Sequence, residues 1–112
     1  TLTKPNGAIL LVPPAIMPSM IKACIQHQLP FICEKPPAID VSSHQQLMAT
    51  VGNLPHIVGY NRRFSPFLNQ AVVWKGDKKI DSINCDFMRV NRLDEDFSTT
   101  YIHGIDAVDR LP

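Results

Sequence analysis

The residues with chemistry to offer fall in four places along the chain. Pro13 and Pro14 follow an apolar run. Glu34 and Lys35, an acid beside a base, interrupt "FICEKPPAID" just before Pro36 and Pro37. Asn61, Arg62 and Arg63 follow "HIVGY", and His103 stands in "IHGID" with Asp106 three residues on. An imidazole titrates near neutral pH, so His103 suits reversible acid and base work. His103 and Asp106, at i and i+3, are also half of a metal site, but two ligands with no second pair elsewhere are too few for tetrahedral zinc. His27, His44 and His56 have no such context and read as surface or edge residues. Taken singly, each loop motif is explained by turn chemistry or a solvated loop. Three on one rim, with a histidine further on, point to a site.

Placing them on one rim requires a particular set of elements. "AILLV" at 8–12 is a continuous apolar run bounded by Gly7 and Pro13, which suits a strand buried on both faces of a parallel sheet. Met17, Met20, Ile21, Cys24, Ile25 and Leu29 then recur at three- and four-residue steps, an amphipathic helix that Pro30 closes. "FIC" at 31–33 is a second short strand. Ser42 and Ser43 with Gln45 and Gln46 offer a capping box for a helix carrying Leu47, Met48 and Val51, ended by Gly52 and Pro55. "HIVGY" at 56–60 makes a third strand, and Ser65-Pro66 starts a helix that runs to about Lys75 and stops at Gly76. Strand alternating with helix implies right-handed crossovers and a parallel sheet covered by helices. In such sheets ligands bind outside the carboxyl ends of the strands, where Pro13, Lys35 and Asn61 fall. After Gly76 the texture changes: Ile83, Cys85 and Phe87 alternate with Asn84, Asp86 and Met88, so a second sheet or domain is expected from near Ile80. Ser98, Thr99 and Thr100 are candidate caps for a helix carrying Ile102, Ile105 and Val108.

"EKPPA" at 34–38 after a short apolar strand, "VGYNRRFSP" at 58–66 and "IHGID" at 102–106 together resemble the Gfo/Idh/MocA family of nicotinamide-dependent oxidoreductases, in order and in spacing. The three-residue "EKP" is weak alone; its combination with "GYNRRFSP" about two dozen residues on is specific, and "HGID" adds to it. The resemblance covers nearly the whole chain, which would then be the middle of such a protein: residues 1–76 the second half of a Rossmann-type sheet, 77–112 the beginning of the α+β substrate and oligomerisation domain. The five glycines, at 7, 52, 59, 76 and 104, contain no GxG, so the phosphate loop is missing. The resemblance implies hydride transfer between NAD or NADP and a hydroxyl or keto carbon of a sugar, cyclitol or related polyol. The complete protein would be a homo-oligomer, and this chain alone is expected to be inactive.

The resemblance also assigns roles. Lys35 would lie beside the nicotinamide ribose and the substrate hydroxyl, where an ammonium stabilises developing alkoxide character. Glu34 would help to place it, and Pro36 would fix the bend, with a cis Lys35-Pro36 bond as one way of doing so. Pro13, Asn61 and Arg63 would approach the cofactor from the neighbouring rims, Arg63 reaching substrate as well. His103 would transfer the proton. Family members commonly carry an aspartate one helical turn before this histidine and an acid three residues after it; Asp106 keeps the second, whereas Thr99 replaces the first and cannot offer a negative charge. Thr99 would still face substrate, and its presence motivates an alternative: a non-catalytic sugar-binding or regulatory protein on the same fold.

Bulk properties narrow the classes. Of 112 residues 45% are apolar, and 11 Lys and Arg against 10 Asp and Glu leave a formal charge of +1, so no field draws the chain to nucleic acid or an anionic membrane. Cys24, Cys33 and Cys85 form no CxxC pair and leave an odd one over, which fits free thiols in a reducing compartment. No apolar run approaches the roughly 20 residues needed to span a bilayer, and no basic-apolar leader opens the chain at Thr1. A cytoplasmic fragment of a longer enzyme is the expectation, with no membrane, nucleic-acid or metal partner.

Overall fold

The computed structural model describes residues 4–84, together with 86, 102 and 105. The chain divides into two compact units, Thr1–Gly59 and Tyr60–Pro112.

The first unit is built on β1 (Ala8–Leu10), α1 (Met17–Gln26), β2 (Phe31–Cys33), α2 (Val41–Val51) and β3 (His56–Val58). The strands form a parallel sheet in the order β1-β2-β3. Ala8 pairs with Phe31 and Phe31 with His56; Leu10 pairs with Cys33 and Cys33 with Val58. Two successive crossovers in one direction place both helices on the same face, where they share one core. The core sits there. Leu10, Phe31 and Cys33 from the sheet meet Met17, Ile21 and Cys24 of α1 and Leu47 and Val51 of α2, with Leu29, Leu54 and Val58 packed around them.

The expectation that the first strand is buried on both faces does not hold among the described residues. Ile9, Ile32 and Ile57 stand side by side on the outer face and are 70%, 45% and 61% exposed. Both helices lie on one side of the sheet, so no described element of this unit covers the other. β1 also stops at Leu10, short of Val12, since β2 offers it a ladder only as far as Cys33.

Local signals explain the helix ends. α1 begins on backbone alone: the Pro13 carbonyl accepts from Ile16 N at 2.9 Å and Met17 N at 3.1 Å. It ends at Gln26, before Pro30, in a double turn in which Leu29 N donates to Cys24 O and Gln28 N to Ile25 O, with Gln28 at φ 51°. That pattern satisfies two orphan carbonyls and folds Leu29 back on the core. α2 starts earlier than the Ser42-Ser43 signal suggests. Asp40 is its cap, its carboxylate accepting from Ser43 N at 2.8 Å and Ser43 Oγ at 2.7 Å, so it satisfies an orphan amide of the first turn. Gly52 ends α2 at φ 54° and ψ −130°, a region in which any side chain is strained.

The second unit opens with a 3-10 turn, Asn61–Phe64, followed by α3 (Pro66–Lys75). Pro66 takes the first helical position, where its missing N–H costs nothing, and Gly76 closes the helix at φ 54°. Ile80–Asn84 and Asp86 take part in no strand, while Cys85 and Phe87–Val90 of the expected alternation lie outside the described residues. Ile102 and Ile105 are helical, in agreement with the spacing read from the sequence. No helix among the described residues is long and apolar enough to cross a membrane.

Candidate functional site

The rim of the first unit is made where β1, β2 and β3 end. Two backbone bonds join these ends: Glu34 N donates to Leu10 O at 3.1 Å, tying the residue after β2 to β1, and Gly59 N donates to Cys33 O at 2.8 Å, tying the residue after β3 to β2. Lys35 leaves the sheet from this tied edge.

The two prolines after Lys35 hold it there. The Lys35-Pro36 peptide is cis, as the sequence reading allowed. Pro36 and Pro37 are both buried, and Pro37 lines the space beneath α2 with Ile21, Leu47 and Val51. Lys35 itself is half-buried and Glu34 is exposed. The Glu34 carboxylate turns back along the chain: its Oε2 accepts from the Lys35 amide at 3.2 Å. The result is a lysine on a short turn anchored from both sides. Pro13 is exposed at the end of β1, with its carbonyl already engaged by the start of α1.

Electrostatics separate Cys33 from this chemistry although it precedes Glu34. Its thiol is pushed up by burial first, and then by the negative charge of Glu34 and by Cys24. Cys24 is raised by burial as well. Both stay protonated and unreactive near neutral pH, since the thiolate is the nucleophile. Both are free, as expected; Cys85 lies outside the described residues.

Asn61 and Arg63 belong to the second unit. Asn61 is exposed at the start of the 3-10 turn, and the half-buried Arg63 places its guanidinium 5.4 Å from the Tyr60 ring centre, within cation–π range. Of the residues singled out from the sequence, the structure thus brings Pro13, Glu34, Lys35 and Pro36 to one edge of the first unit. It places Asn61 and Arg63 together on the first turn of the second. Thr99, His103 and Asp106 lie outside the described residues.

Among the other histidines, His56 sits in β3, stacked on Phe31 with ring centres 5.5 Å apart and its Nδ1 2.8 Å from Leu54 O, so its environment is structural. His27 and His44 are exposed. The described residues hold no group of three or more His, Cys, Asp or Glu able to bind a metal. A hollow of about 450 Å³ opens on the outer face, lined mainly by apolar residues, Ile9, Pro30, Ile32, Pro55 and Ile57, with His56 at its border.

One residue of the rim was not singled out from the sequence. Gly59 packs against Cys33 and Glu34, and a Cβ there would stand 3.4 Å from Cys33 O and 3.8 Å from Glu34 Cδ and Oε1. Its signal in the sequence is a glycine directly after a strand, which marks close approach of other atoms but does not say which.

Comparison of the chain with protein-family models, with curated proteins and with solved structures found no match.

Proposed function

We propose that this chain carries the nicotinamide side of a cofactor cleft in an oxidoreductase that moves a hydride between NAD or NADP and a hydroxyl or keto carbon of a sugar, cyclitol or related polyol. In this reading residues 1–76 are the second half of a Rossmann-type fold, and residues 77–112 begin a substrate domain. The observation that carries it is Lys35: a half-buried lysine on a turn held by two buried prolines, at the carboxyl ends of three parallel strands. Open parallel sheets place their ligands at that edge. The resemblance of "EKPPA", "VGYNRRFSP" and "IHGID" to the Gfo/Idh/MocA pattern supplies the reaction class.

The groups on this rim suit the nicotinamide end of the cofactor and a substrate hydroxyl: one ammonium, one carboxylate and the backbone groups around them. They do not form a pyrophosphate cradle, and the sequence holds no GxG to make one. When bound, the nicotinamide would supply hydride acceptance or donation. Lys35 would hold the substrate oxygen and stabilise negative charge as it develops there, which helps only if the ammonium is fixed before the reaction. His103 would take up or return the hydroxyl proton, and Asn61 and Arg63 would orient cofactor and substrate. The backbone of Glu34 and Pro13 would border the cofactor.

The test uses the complete protein with NAD or NADP and a panel of sugars and cyclitols, following reduced nicotinamide by absorbance. Lys35→Ala should lower turnover by more than about a hundredfold, the usual consequence of removing one preorganised charge-stabilising donor. Activity retained within a few fold sinks the assignment. A second reading, a sugar-binding protein without turnover, is favoured by Thr99 at the usual aspartate position. Saturable sugar binding with no reduction of cofactor by any substrate in the panel would select it.

A further inference from the structure

Building on the role given to Lys35 above, we propose that Gly59 is a positioning residue: its missing side chain keeps open the space in which the Glu34 carboxylate folds back onto the Lys35 amide. Three observations meet at this point. Glu34 Oε2 accepts from Lys35 N at 3.2 Å. A Cβ on Gly59 would stand 3.8 Å from both Glu34 Cδ and Oε1. Gly59 N is itself fixed by its 2.8 Å bond to Cys33 O, so the backbone cannot readily draw away to make room.

Backbone conformation does not account for the glycine. Among the described residues the glycines at positive φ are Gly52 and Gly76, both at 54°, and Gly59 is not one of them. Position 59 therefore makes no demand that only glycine meets by φ. What glycine provides here is space, and the atoms bordering that space are Cys33 O and the Glu34 carboxylate. An alanine would just touch that carboxylate. A valine's methyl groups extend further and must displace it, taking this acceptor from the Lys35 amide and leaving the turn less fixed.

The experiment uses the complete, cofactor-loaded protein with Gly59→Ala, Gly59→Val, Glu34→Ala and the Gly59→Val/Glu34→Ala pair, checked for folding by melting temperature. Two quantities are read: hydrogen exchange at the Lys35 amide by NMR, and kcat and KM separately. In Gly59→Val the amide should exchange about tenfold faster and kcat should fall about a hundredfold with KM within about twofold, the scale of loss for an ångström-sized misplacement of a reacting group. Gly59→Ala should show the same pattern more weakly and serves where valine prevents folding. Because both changes remove one arrangement, the double variant should lose little beyond Glu34→Ala. Unchanged exchange at Lys35 in the folded position-59 variants overturns this proposal alone. Additive losses in the double variant also overturn it, since they would mean that Gly59 acts elsewhere than through Glu34. Retained turnover in Lys35→Ala overturns the functional reading instead, and the exchange measurement still decides whether Gly59 sets the Glu34–Lys35 contact.

Discussion

The turn that carries Lys35 is set by its neighbours in the chain, so in the proposed role residue-scale changes around it should act on rate before they act on stability. Pro36 and Pro37 are buried against the core side of the turn, while Glu34 and Gly59 set its outer border. At the same scale stands Thr99, whose hydroxyl can hydrogen-bond but carries no charge, where the pattern that the sequence resembles has an aspartate. If His103 is the proton carrier, a carboxylate near it favours the imidazolium and raises its basicity. Thr99→Asp in the complete protein should therefore raise kcat and move the limb of the pH–rate profile that reports His103 to higher pH. No gain in turnover, together with unchanged sugar affinity, would favour the binding-protein reading.

At the scale of elements, the start of α2 rests on one exposed side chain. The Asp40 carboxyl is held below its ordinary value of 3.8, chiefly by the Ser43 hydroxyl and then by the Ser43 amide. A depressed carboxylate contributes stability above its unfolded pKa, and that contribution is lost as pH falls through the folded pKa. Asp40→Ala should lower the melting temperature at neutral pH, and the gap to wild type should shrink once the pH drops below about 4. A constant gap from neutral pH down to strong acid would show that the ionised cap is not what anchors α2. The packing of α1 makes a larger claim on stability. Met17 is 1% exposed where α1 meets the sheet, so Met17→Ala should cost about 2–5 kcal/mol in denaturant unfolding, the range for truncating a large core side chain. A loss below about 1 kcal/mol would mean that the first unit repacks freely.

For the whole molecule the governing feature is the uncovered row Ile9–Ile32–Ile57. A parallel sheet is ordinarily buried on both faces, and β-branched residues in ladder register are a surface made for packing. The 112-residue chain expressed alone should therefore self-associate, with concentration-dependent sedimentation, and Ile32→Lys, which charges the middle of the row, should raise the monomer fraction. A sharp monomer with two-state unfolding at high concentration would contradict this. Exposed apolar faces of this kind mark interaction surfaces or aggregation sites.

How much of this could be read in advance depends on the range over which each signal acts. The alternation of apolar runs with helical spacing, the breaks at Pro30, Gly52 and Gly76, and the placement of Lys35 directly after a strand are local, so the sequence by itself determined the order of the elements and the edge from which Lys35 emerges. The capping signal at Ser42 and Ser43 falls later than the observed Asp40 cap, because all three residues are competent caps and only the helix geometry selects one. Tertiary structure alone decided three things. It put α1 and α2 on one face, leaving the isoleucine row open, since strand order is a long-range choice. It buried Cys33 while exposing Glu34 beside it, since alternation says which residues share a face but not which face is covered. It brought Gly59 against Glu34, far apart in the chain, because only the pairing of β3 with β2 makes the residues after those strands neighbours.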